Sequence, residues 1–166
     1  MPAKPHGGKL VNRVISKEKR EEVLKEVKEL PKIYISRETA IDTENIAHGI
    51  FSPLEGFMNY NDYHSVLENM RLENDLPWTI PIVLDVHEDS LKGIKEGDAV
   101  VLMHNNLPIA LMYIEDIYTF NKKEYAEKVF KTADPDHPGV LKVLEMHDLL
   151  IGGKIELINS VENPFE

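Results

Sequence analysis

Residues 99–118 read AVVLMHNNLPIALMYIEDIY, and this stretch decides the fold class. Apolar side chains fill Ala99–Met103 and return over Ile109–Tyr118, and Asn105-Asn106 sits where the chain reverses. Two strand-like runs joined by a short Asn-containing link predict a hairpin. Upstream, Ile80, Ile82, Leu84 and Val86 alternate with Pro81, Val83 and Asp85, a period of two. Pro77 and Pro81 put that strand at a sheet edge or at its start. Downstream, Leu149–Ile151 and Lys154–Ile158 predict a closing hairpin across Gly152-Gly153. Strands that come as hairpins rather than as β-α-β units point to a small closed or nearly closed sheet, not a doubly wound one.

Helices are inserted around these strands. Residues 1–13 read as an extended arm, because Pro2 and Pro5 disfavour helix and Gly7-Gly8 allows a turn. Ser16 is placed to cap a helix over 17–30, with Val23, Leu24, Val27 and Leu30 on one stripe, and Pro31 stops it. Ile33-Tyr34-Ile35 is a short strand signal, and Ser36 and Thr43 each offer a cap for a short helix before Ala47. Asn59 or Asn61 starts another helix, with Tyr63, Val66, Leu67 and Met70 at i, i+3, i+4 and i+7. Asn121 with Glu124 forms a capping pair for a helix over 122–131. Residues 134–139 predict a loop, Val140–Met146 a short helix, and 160–166 the start of a linker. The reading is of one domain over 1–166, of class α+β.

Composition narrows the function. Lys and Arg number 19 against 29 Asp and Glu, a formal charge of −10. Such a surface starts at a disadvantage against a phosphate backbone or an anionic membrane. With no cysteine, disulfides, thiolate nucleophiles and Cys-ligated metals are excluded. No apolar run approaches the roughly 20 residues needed to span a bilayer, and the N-terminus lacks the apolar centre of a signal peptide. A cytoplasmic location is expected, and the Glu/Lys-rich composition hints at a thermophile. The seven histidines form no i,i+3 or i,i+4 pair, so no metal site of sequence-local ligands is expected.

Three segments are candidates for function. His6-Gly7-Gly8 suits an anion-binding turn or an arm that docks on a neighbour, and the lack of a preceding strand favours docking. Phe51-Ser52-Pro53-Leu54-Glu55-Gly56-Phe57-Met58 puts three large apolar side chains (Phe51, Phe57, Met58) into a loop. They need burial beneath the loop, or a partner that covers them. Gly56 is read as a requirement of backbone conformation. His137-Pro138-Gly139 follows Asp134 and Asp136, which raises acid–base chemistry for His137, but no nucleophile is near and Asp-Pro and Pro-Gly are ordinary turn residues.

Taken in order with Pro5–Arg13, Asp136–Val140 and Gly152–Ile155, the run Phe51–Met58 resembles the N-terminal domain of the ATP sulfurylase (sulfate adenylyltransferase) family, over nearly the whole chain. The resemblance implies a PUA-like mixed β-barrel with inserted and flanking short helices. It also implies a role, because that family's chemistry sits in a second domain with a Gln-Thr-Arg-Asn-Pro stretch and a later His-rich nucleotide loop. Neither is found here, and the chain stops at Glu166, about where that domain would begin. No catalytic residue is therefore assigned. His6, Gly7, Gly8, Phe51, Ser52, Pro53, Gly56, Phe57, Met58, His137, Pro138 and Gly139 are interface or loop-architecture candidates. The chain alone is expected to be inactive, with ATP and Mg required only by the complete enzyme. Its expected partner is the catalytic domain, in cis or in trans, with a homo-oligomer possible. A stand-alone PUA-like module binding RNA or protein is the alternative, and a basic face would be its mark.

Overall fold

A computed structural model describes residues 10–161. It contains five α-helices and six strands in the order α1(Lys17–Val27), β1(Lys32–Tyr34), α2(Arg37–Ala47), β2(Gly56–Phe57), α3(Tyr60–Asn69), β3(Leu84–Val86), β4(Ala99–His104), β5(Leu107–Thr119), α4(Lys122–Phe130), α5(Pro138–Leu144) and β6(Leu149–Leu157). The strands hydrogen-bond in the order β1-β4-β5-β6-β2, and β3 pairs with β6 off that path. The class is α+β with a mixed sheet, as read from the hairpins. The closed or nearly closed sheet read from the hairpins, and the barrel implied by the family resemblance, are here an open path of strands with β1 and β2 at its two ends.

The described residues pack as two compact units, one of 10–57, 94–115 and 153–161, the other of 58–93 and 116–152. In the first, β4 and β5 form the predicted hairpin. Asn105 and Asn106 have φ of 49° and 63°, the left-handed pair that a two-residue turn requires and that Asn tolerates. A bulge interrupts the pairing between Leu102 and Met103. β1 adds parallel to β4, with Ile33 opposite Leu102. Helix α1 lays Val23 and Val27 on Val101, Met103, Leu111 and Ile158, with Leu24 and Leu30 packed at the margin. The predicted stripe is therefore real. The helix ends at Val27 rather than 30, and Ser16 stands at its N-cap without a side-chain cap bond. Thr43 starts no second helix. α2 runs unbroken past it, because the buried Thr43 hydroxyl donates to the carbonyl of Thr39 one turn back, at 2.8 Å.

In the second unit, α3 begins at Asn59, whose side chain accepts from the amide of Asp62. Asn121 accepts from the amide of Glu124 to start α4, as predicted. Tyr63, Val66 and Leu67 form the buried stripe of α3, whereas Met70 is 53% exposed and left-handed at the C-cap. The strand read over 80–86 is reduced to Leu84–Val86, antiparallel to Leu149–Ile151, and Ile80 is exposed. Prolines 77 and 81 deny the earlier residues a ladder. The short helix read at Val140 starts two residues earlier, at Pro138.

The expected closing hairpin across Gly152-Gly153 does not form, and β6 is one continuous strand. These glycines make room for neighbours instead of turning the chain. In the second unit, a β-carbon on Gly152 would lie 2.5 Å from the carbonyl oxygen of Met58. In the first, one on Gly153 would lie 1.9 Å from that of Tyr113.

Candidate functional site

The motif run Phe51–Phe57 is tied to the preceding chain through Ser52. The Ser52-Pro53 peptide bond is cis. Ser52 is 2% exposed, and its hydroxyl accepts from the amide of Val11 at 3.0 Å and donates to the carbonyl of Gly49 at 2.6 Å. The amide of Leu54 returns to the carbonyl of Phe51 at 2.9 Å. Pro53 is half-buried, as is Phe51, while Leu54 and Phe57 are buried. The chain then enters β2, where Gly56 pairs with Lys154 and Phe57 with Gly153. A β-carbon on Gly56 would come within 1.8 Å of the carbonyl oxygen of Gly153. Gly56 thus serves strand-on-strand approach, a tighter demand than the loop conformation read from the sequence. Glu55 flanks the crossing, accepting from the amide of Ile155 at 3.0 Å and facing Lys154 Nζ at 3.6 Å.

Met58 is 1% exposed in the second unit, with its amide donating to Ile82 at 2.9 Å and its carbonyl accepting from the Tyr118 hydroxyl at 2.7 Å. Burial above all, with Tyr63 and Asp116 nearby, pushes the Tyr118 phenol up, so it remains a donor.

His137 has a structural place in this arrangement. It is the N-cap of α5, its Nδ1 accepting from the amide of Gly139 at 3.0 Å, with Pro138 at the first helical position. Asp134 accepts from the amide of Asp136, a turn contact. Gly139 faces the Phe130 ring, where a β-carbon would lie 2.6 Å from ring carbons. His6, Gly7 and Gly8 lie outside the described residues. Among the described residues, no three His, Asp or Glu side chains gather to hold a metal ion. None of the described helices is long and apolar enough to cross a membrane.

Two groupings escape any local reading of the sequence. The rings of His87 and His147 meet edge-on at 5.6 Å. More substantially, α3 and the start of α4 enclose a cleft of about 400 Å³ lined by Tyr60, Tyr63, His64, Thr119, Phe120, Asn121 and Glu124. Tyr60 stacks on His64 at 5.6 Å and meets Tyr118 edge-on at 5.7 Å. Tyr63 meets Phe120 edge-on at 6.2 Å. Tyr63 is 4% exposed, and its hydroxyl is the one buried side-chain polar atom among the described residues without a hydrogen-bond partner. Leaving such a group unpaired costs about 1–3 kcal/mol. Burial, then Tyr125 and Glu124, pushes its phenol up. The signal for this site was partly present in the sequence, as the α3 stripe, but Tyr63 read there as core alone.

Comparison with known proteins adds family to geometry. The chain is 55% identical to a sulfate adenylyltransferase of Thermococcus onnurineus over 99% of its own length and 43% of the relative's. It is 55% identical to one of Hyperthermus butylicus, covering all of this chain and 43% of that protein. The chain thus spans less than half the length of these relatives. Among solved structures, a hexameric APS kinase from Thiobacillus denitrificans superposes with a TM-score of 0.71 at 22% identity, covering 93% of this chain and 26% of that one. This likeness carries the fold alone. A family model described as a PUA-like domain matches residues 3–160. Recognition by motif, sheet and family model agree: the chain belongs to the PUA-like domain family, in a sequence form shared with sulfate adenylyltransferases.

Proposed function

We propose that this chain is the PUA-like part of a sulfate adenylyltransferase, and that it supports catalysis by packing on the rest of the enzyme rather than by reacting itself. In the complete enzyme a sulfate oxygen attacks the α-phosphorus of ATP and pyrophosphate leaves. That chemistry needs in-line positioning and cationic donors around the phosphates. In this reading ATP and Mg²⁺ belong to the complementary catalytic part. The observation that carries the proposal is 55% identity sustained along 99% of this chain with an enzyme more than twice its length.

Two features of the first unit support an interface role. Leu10 and Ile50 are 64% and 67% exposed. Leu10 lies against Gly49, so the two apolar side chains flank one corner. Apolar corners of this kind mark surfaces that a partner covers. The relatives from Thermococcus and Hyperthermus support a heat-adapted source.

The test is pyrophosphate release from ATP and sulfate, by this chain, by the complementary portion of a relative, and by the two mixed. The expected outcome is release that the mixture raises above the complementary portion, with none from this chain alone. Release by this chain alone would overturn the non-catalytic role. A mixture no faster than the complementary portion would overturn the interface role.

A further inference from the structure

Residues 70–83 connect α3 to β3 without a regular helix or strand, well beyond the about 4–6 residues usual for such a link. The loop is tied largely to itself. Leu72 donates its amide to the carbonyl of Leu76 at 2.8 Å, Asp75 to that of Leu72 at 2.9 Å, and Trp78 to that of Met70 at 2.8 Å. Arg71 holds the carbonyl of Asp75 at 2.9 Å, and the Trp78 indole N–H reaches that of Ile80 at 2.8 Å. Its apolar side chains divide into two sets. Leu72 and Pro81 are buried and anchor the loop. Met70 and Ile80 are 53% and 55% exposed, and Trp78, hydrogen-bonded to both, is half-buried.

Single apolar residues on a surface are ordinary, but three joined on one ordered loop form a patch. Trp and Met are enriched at the centres of protein interfaces. Because the loop is already ordered, covering it costs little conformational entropy.

Charge and length select the partner. Within the loop Arg71 and Asp75 pair at 3.9 Å, so Glu73 sets its net negative sign. With a formal charge of −10, a second copy of this chain is at a disadvantage. In the sulfate adenylyltransferase reading, the complementary catalytic part gathers cationic donors for ATP and sulfate. The relatives also carry more than half of their length outside the matched portion.

We propose that the patch of Met70, Trp78 and Ile80 is a docking surface for that catalytic part. Apolar side chains of the partner cover Trp78, and its Lys or Arg residues face Glu73. This assignment rests on the sulfate adenylyltransferase reading and adds a surface on the second unit to the Leu10 and Ile50 corner of the first.

Trp78 is the one tryptophan of the chain, so 5-fluorotryptophan labelling places a single fluorine signal on the patch. The test is fluorine NMR of the labelled chain, titrated with the complementary portion of the Thermococcus relative, whose folding is verified by circular dichroism. Sedimentation velocity follows complex formation separately. A saturable shift of the Trp78 signal is expected wherever the complex forms. Ile80→Lys, at an exposed position, should weaken the complex about tenfold. Met70→Asn suits the left-handed φ of 54° and should weaken it by roughly three- to tenfold. A complex that leaves the signal unmoved, or that both variants leave as tight, would overturn this surface and leave the enzyme reading standing. Failure of any complex to form would overturn the packing role and this surface with it. A shift that depends on the concentration of this chain alone would give the patch to a second copy and overturn the proposal.

Discussion

Two buried hydroxyls, one in each unit, have opposite circumstances. Ser52 is 2% exposed and fully engaged, accepting from Val11 and donating to Gly49. Tyr63 is 4% exposed and has no partner. Protein interiors rarely leave a polar atom unpaired. The difference separates a motif that holds the fold together from a side chain that the fold alone does not explain. The run Phe51–Phe57 was the stretch most suggestive of function, yet its hydrogen bonds go to the protein's own backbone, at Val11, Gly49 and Ile155. Tyr63 read as an ordinary core residue of an amphipathic helix, and it is the one whose buried hydroxyl lacks a partner.

The comparison can be broken most forcefully at the strand crossing beside Ser52. Gly56→Ala would set a β-carbon against the Gly153 carbonyl and force β2 off β6. The expected loss is about 3 kcal/mol or more, read as a lowered denaturant midpoint. An unchanged midpoint would mean that the strands separate without cost. Next, Ser52→Ala strands the Val11 amide in a buried position, at an expected cost of about 2 kcal/mol by the same measurement.

Tyr63→Phe sharpens the contrast from the other side. It removes a buried hydroxyl that has no partner to lose, so near-neutral pH should show a gain in stability of about 1–3 kcal/mol. A loss as large as that of Ser52→Ala would erase the distinction between the two sites. Alkaline titration gives the same variant a second readout. Burial raises the phenols of Tyr63 and Tyr118 above the ordinary value of 10.0. Above that value the unfolded chain releases protons that the folded chain keeps, so the unfolded state binds fewer. Stability contributed by the neutral phenols is therefore complete below pH 10 and falls as pH rises beyond it. Tyr63→Phe should make that fall shallower, and Tyr118 and Tyr113, whose phenols are also raised, should contribute to what remains. An identical slope in the variant would show that Tyr63 ionises as freely folded as unfolded.

Local chemistry was readable wherever a few neighbouring residues decide the conformation. Asn105-Asn106 turns because both positions need positive φ, and Asn59 and Asn121 cap helices because their side chains reach an amide three residues on. Thr43 misled because its hydroxyl could either accept from an amide ahead of it, as a cap, or donate to the carbonyl one turn back, and the helix won. His137 was legible as a turn residue, though not as a cap with an imidazole acceptor. The cleft was not legible, since Tyr63 and Glu124 stand far apart in the chain and only folding brings α3 to α4.

Gly152-Gly153 shows where that boundary falls. The sequence by itself determined that the chain reverses at Asn105-Asn106, that Asn121 caps a helix, that α1 and α3 carry apolar stripes, and the family to which its motifs belong. Those follow from side-chain volume, φ preference and hydrogen bonding within a few residues. Only the tertiary structure decided that the glycine pair lies inside a continuous strand, that the sheet stays open, and that one tyrosine hydroxyl is buried without a partner. A glycine permits a turn and a close neighbour equally well, and which one it serves depends on atoms remote in sequence.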